Sequence, residues 1–195
     1  MFSLEFVAVV LTLLAVALTV RQIIWCWPLG MISVTLYAAV FYDVRLYADM
    51  GLQGLYFVLA AYGWWAWSQG GEDHGELEVS LTPGRERLLL LLVATLGGIL
   101  LGQTLTRFTN ASLPFVDSVL TSFSIAAQWM QTRKLLESWL LWLAVDVGYV
   151  AMFLFKGLFL TAGLYTVFLA LAAMGFVQWR RSMRGSRSAA SELMS

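Results

Sequence analysis

A chain of 195 residues, 60% of them hydrophobic and only 12% charged, carries more apolar surface than its own core can hide. Its mean hydropathy of +0.77 calls for lipid to cover the excess. A formal net charge of zero lends no electrostatic support to a nucleic-acid partner, and a single cysteine, Cys26, excludes a disulfide framework and a thiolate metal cluster, so neither metal nor cofactor is expected.

About 20 apolar residues cross the hydrocarbon layer as a helix. The first run, 4–20, has no basic leader, carries Glu5 and lacks a small-residue cleavage site, so it reads as a span and not as a signal peptide. The second, 23–42, follows after only Arg21 and Gln22, and the third, 46–67, ends in the aromatic stretch Tyr62 to Trp67. The polar, glycine-rich stretch 68–87 holds the lone histidine, His74, and precedes a solitary run, 88–106. Three more runs follow at 116–132, 138–155 and 158–179, the last two separated by Lys156 and Gly157. None alternates polar and apolar residues as a barrel strand does. The expected fold is all-α and integral to the membrane, with seven transmembrane helices. Its parts are a three-helix repeat (1–67), a cytoplasmic loop (68–87), a linker helix (88–106), a second three-helix repeat (107–179) and a cytoplasmic tail (180–195). Nine Lys and Arg residues fall on the side of the C-terminus and three on the other, which places the N-terminus outside and the C-terminus in the cytoplasm.

The word repeat rests on an ungapped match. Residues 21–67 laid on 133–179 agree at 14 of 47 positions, among them Trp27 with Trp139, Tyr37 with Tyr149, Gly63 with Gly175 and Trp67 with Trp179. Three helices would invert a second copy, and the lone fourth helix restores its direction. The halves are therefore expected to run parallel, related by an axis along the membrane normal, an arrangement of transporters that bind substrate near the midplane.

Polar residues inside the spans mark the candidate substrate site. Trp139, Trp142, Asp146 and Tyr149 fall within about 80° of one another on a helix. A carboxylate in mid-span costs a few kcal/mol and signals function by default. The preceding span carries Thr121, Ser124, Gln128 and Gln131 at the same spacing, with Asp117 one turn earlier. Thr121 and Ser124 suit helix–helix hydrogen bonding, whereas the Gln128 amide has four bonding positions to fill. Aromatic faces, a carboxylate and an amide together suit a flat, polar, cationic small molecule. No GxxxxGK(S/T) loop is present for ATP, no HExxH or GxSxG for hydrolysis, no lysine in the last span for retinal and no arginine-rich voltage sensor. The chain is not expected to be an enzyme.

The stretch Trp25-Cys26-Trp27-Pro28-Leu29-Gly30, with Tyr47-Ala48-Asp49, Leu52-Gln53 and Tyr62-Gly63-Trp64-Trp65-Ala66-Trp67, resembles the PnuC family of bacterial vitamin transporters. Trp139, Trp142 and Asp146 match that family's WxxWxxxN/D signature, and the resemblance runs over nearly the whole chain. It implies a SWEET-like fold of two three-helix bundles joined by a linker helix, and a homotrimer in the bacterial inner membrane. It implies nicotinamide riboside as the vitamin, carried by facilitated diffusion into NAD biosynthesis and trapped by a cytoplasmic kinase. Thiamine, another cationic heteroaromatic, fits the same residues. A seven-helix ligand sensor and an intramembrane catalyst using Asp146 with Asp117 are the readings outside transport.

Overall fold

Long apolar runs leave the backbone amides nowhere to bond but inside the helix. The computed structural model describes residues 2–43, 45, 47–71, 75–108 and 113–193, with side chains for 4–43, 45, 49–71, 75–108 and 113–185. Among them are seven helices: α1 (Phe2–Val20), α2 (Cys26–Asp43), α3 (Tyr47–Gln69), α4 (Gly84–Phe108), α5 (Pro114–Thr132), α6 (Ser138–Phe155) and α7 (Phe159–Leu193). Three of them, α4, α6 and the 159–185 part of α7, are individually long and apolar enough to cross a membrane; Leu4–Val20 is a shorter apolar helix. Helix α2 starts three residues later than the apolar run, because residues 21–25 turn, with Gln22 at φ 58°. Pro28 then lies in the first turn, where a missing N–H breaks no intrahelical bond. Helix α4 starts earlier than its run, directly after Pro83, and α7 continues past the expected end of its span into the tail. His74, Leu46, the 110–112 stretch and the side chains of Tyr47, Ala48 and Arg187 lie outside the described residues.

The chain forms two compact units. Residues 1–79, 132–134 and 178–195 make the first, and 80–131 with 135–177 the second. In the first unit α2 packs on both α1 and α3. The Ser33 hydroxyl donates to the Ala8 carbonyl at 2.9 Å and lies 2.6 Å from the Thr12 hydroxyl, which ties α2 to α1 inside an apolar contact. The Trp27 ring lies so close over Gly63 that a Cβ there would overlap it. Trp67 meets Trp27 edge-on at 5.2 Å and Trp179 at 5.7 Å, and Trp179 Nε1 donates to the Thr19 carbonyl. The Lys134 ammonium lies 4.5 Å from the centre of the Trp67 ring. Burial lowers the pKa of this lysine, and Glu76 and Glu78 pull it back upward.

In the second unit α4 meets α5 through glycines. Gly98 leaves room for the Val119 backbone and Gly102 for the Phe115 ring. On α6, Trp139 lies over Gly175 of α7, as Trp27 does over Gly63. The segment before α4 is tied to the α5–α6 turn. Leu136 N–H donates to the Ser80 carbonyl, and Glu137 accepts from the Thr82 N–H, the Thr82 hydroxyl and Arg87 at 2.7–2.9 Å.

Local geometry recurs at positions 112 apart. Helices start at 2 and 114, 26 and 138, 47 and 159, and stop at 20 and 132, 43 and 155. Left-handed backbone occurs at Gln22 and Lys134, and at Arg45 and Gly157. Tyr37 stacks on Phe41 at 6.0 Å, and Tyr149 on Phe153 at 5.8 Å.

Candidate substrate site

Helix α5 holds its polar residues on one stripe, and a stripe of amides and hydroxyls is best buried against a helix that answers it. Helix α6 does so at two levels. Trp142 Nε1 donates to Gln131 Oε1 at 2.8 Å, and the Tyr149 and Thr121 hydroxyls lie 3.3 Å apart. Rising numbers on α6 therefore pair with falling numbers on α5, so the two helices are antiparallel with their stripes facing. The Trp142–Gln131 bond fixes the plane of the indole. The Ser124 hydroxyl turns back to the Thr121 carbonyl of its own helix at 2.7 Å.

Asp146 stands between these levels, one turn beyond Trp142 on the same face. Gln128 and Ser124 lie on the length of α5 between Gln131 and Thr121. The carboxylate is 3% exposed and has no hydrogen bond or ion pair among the described residues. An ionised carboxylate buried without a partner costs several kcal/mol, so this position calls for a proton or for a cation from outside the chain. Gln128, half-buried, likewise makes no hydrogen bond among the described residues. Asp117 lies in the first turn of α5, beyond the Thr121–Tyr149 contact and roughly two turns from the level of Asp146, too far for a shared proton.

Of the sequence-predicted residues, Trp142, Asp146, Tyr149, Gln128, Ser124 and Thr121 thus come together along one α5–α6 interface. Trp139 stands apart: it is 2% exposed, and its ring fills the notch at Gly175. Two participants carried weaker signals. Gln131 was visible only as the end of the α5 stripe. Tyr165, on α7, packs at 4.8 Å from Tyr149 and 5.2 Å from Phe153, and no spacing within one helix announces a contact from another. Among the described residues no group of His, Cys, Asp and Glu side chains is placed to hold a metal.

The family model described as nicotinamide mononucleotide transporter matches residues 3–181. This chain belongs to the PnuC family. It is 29% identical to the nicotinamide riboside transporter PnuC of Escherichia coli, over 94% of this chain and 88% of that protein. It is 28% identical to the riboflavin/roseoflavin transporter RibM of Streptomyces davaonensis, over 94% of this chain and 87% of that one. The crystal structure of the vitamin B3 transporter PnuC superposes with a TM-score of 0.72 at 25% identity, covering 93% of this chain and 82% of that one. The chain is accordingly a multi-pass membrane protein of a vitamin-transport PnuC family, acting on a small molecule in a lipid bilayer.

Proposed function

We propose that this chain is a facilitative transporter of nicotinamide riboside in the bacterial inner membrane, working by alternating access without ATP hydrolysis and supplying NAD biosynthesis. The observation that carries the reading is the buried carboxylate of Asp146, without a partner among the described residues, beside the oriented indole of Trp142. A pyridinium ring supplies both missing parts, a positive charge for the carboxylate and a flat face for the indole. Gln128 offers its free amide to the carboxamide or ribose, and Tyr149, Ser124 and Thr121 line the pocket beyond Asp146. Trp139 ties α6 to α7 by packing on Gly175.

The family relatives divide between nicotinamide riboside and riboflavin. The uncharged flavin ring gives Asp146 no counter-charge, which favours the cationic vitamin here. Thiamine, also a cation, is the second reading. In this proposal seven spans form two three-helix repeats around the linker α4, in a SWEET-like 3+1+3 order. The recurrence of helix ends, left-handed turns and Trp-over-Gly contacts at 112-residue spacing supports it. The N-terminus lies outside, the C-terminus in the cytoplasm, and the working form is a homotrimer.

Uptake of labelled nicotinamide riboside into proteoliposomes, with thiamine and riboflavin as competitors, tests the substrate. Filling should stop at the external concentration. Accumulation above it under a proton gradient overturns the facilitative mechanism. Stronger competition by riboflavin than by thiamine overturns the charge argument.

A further inference from the structure

A concavity is walled by residues of α5 and α6 that lie off their polar stripes. It is a groove of about 300 Å³ between α4, α5 and α6, walled by Leu90, Ala94, Phe123, Met130, Leu141 and Ala144. Its walls come from 87–94, 123–130 and 137–144, eight residues from each stretch, so it runs two turns, roughly 10 Å, along the helix axes. Arg87 and Glu137 stand together at one end, where α4 and α6 begin. Helix α4 leaves a broad apolar surface uncovered by the chain beside the groove, with Leu89, Val93, Leu96 and Leu100 each more than half exposed.

We propose that this groove is a specific glycerophospholipid site, with one acyl chain lying between α4, α5 and α6 and the phosphate held by Arg87. The two ends match the two chemistries of such a lipid. The length of the groove offers an alkyl chain apolar contact only. At its mouth, Glu137 is already answered by both donors of Thr82 and by Arg87. Arg87 spends one terminal nitrogen, Nη2, on Glu137 and the Thr82 carbonyl. A guanidinium has five N–H donors, and the side chain is 52% exposed, so its other edge stands open to a phosphate. The ion pair holds that edge at the mouth and does not consume it.

Full-length protein, stripped of lipid in detergent and titrated with phosphatidylglycerol, phosphatidylethanolamine or phosphatidylcholine, is read by native mass spectrometry and thermal melting. One tightly bound lipid per chain is expected, with a rise in melting temperature. Ala144→Phe fills the groove and leaves the mouth intact. Each methylene displaced is a loss of about fourfold, so affinity should fall at least about tenfold. Ala94→Leu, on the opposite wall, does the same should the first variant fold poorly. Arg87→Gln should weaken all three phospholipids, while Glu137→Gln, which frees the guanidinium, should keep or strengthen binding. Undiminished lipid binding in both groove variants overturns the proposal. So does an oligomer that falls apart in the groove variants without any change in lipid count, since a second copy of the chain would then be the occupant.

Discussion

The stretch α1–α3 and the stretch α5–α7 repeat local features at positions 112 apart and are furnished differently. Each puts a tryptophan over a glycine of the next helix, Trp27 over Gly63 and Trp139 over Gly175. Each turns through left-handed backbone at the same two positions and stacks a tyrosine on a phenylalanine one turn later. Several of the differences fall on the α5–α6 interface. Where the second stretch has Trp142, Asp146, Gln128 and Thr121, the first has Gly30, Val34, Val16 and Val9. In their stead a small hydroxyl knot, Thr12, Ser33 and the Ala8 carbonyl, satisfies itself. The tryptophan-on-glycine contact is a packing requirement common to both stretches. Chemistry requires an unsatisfied group, and a fold tolerates that in one place more readily than in two.

The largest expected effect comes from giving the second stretch the residues of the first. Asp146→Val together with Trp142→Gly should abolish vitamin binding by calorimetry. Each loss removes about 1–3 kcal/mol, and the two together amount to roughly thirtyfold or more. Asp146→Val alone should raise the melting temperature while weakening binding, since a buried carboxylate without a partner destabilises the empty protein. Asp146→Asn keeps the shape and separates charge from hydrogen bonding. Binding left intact in all these variants would show that the stripes are ordinary packing faces.

Next in size are the notches. Gly63→Ala and Gly175→Ala each drive a methyl into an indole, and each should destabilise by about 1–3 kcal/mol in thermal or urea unfolding. Similar losses sharpen the claim of one packing requirement. A large loss at one glycine and none at the other breaks it.

Smaller again is Gln131→Thr, which installs the residue that Thr19 occupies in the first stretch. It leaves Trp142 Nε1 without its acceptor, a cost of about 1–3 kcal/mol where no water replaces it. Vitamin affinity should fall by a few fold as the indole loses its orientation, with folding and oligomeric state unchanged.

The smallest effect concerns the second turn of each stretch. Arg45 at φ 60° holds a conformation that Gly157, at φ 72°, adopts without a clash between Cβ and the carbonyl oxygen. Arg45→Gly should stabilise by roughly 1 kcal/mol and Gly157→Ala should destabilise by a similar amount. Opposite signs at the two equivalent turns would be read directly from paired melting curves.

Much of this molecule is written locally. Continuous apolar runs predict helices α1 to α7 within a few residues, apart from the extension of α7 into the tail, because helix formation depends on neighbours along the chain and because lipid accepts no other way of satisfying the backbone here. The two stripes are equally local, since residues three, four and seven apart share a face whatever surrounds them. The ungapped match between 21–67 and 133–179 points to a shared frame for the same reason: glycine notches and tryptophans keep their spacing when the helices that carry them do. Tertiary structure alone decided which face met which. It paired Trp142 with Gln131, left Asp146 without a partner among the described residues, brought Tyr165 across from α7, sent Trp139 into a glycine notch, and opened a groove beside α4 with an arginine at its mouth. These are contacts between residues far apart in sequence. They follow from how the volumes of separate helices fit together, and no periodicity within a single helix encodes them.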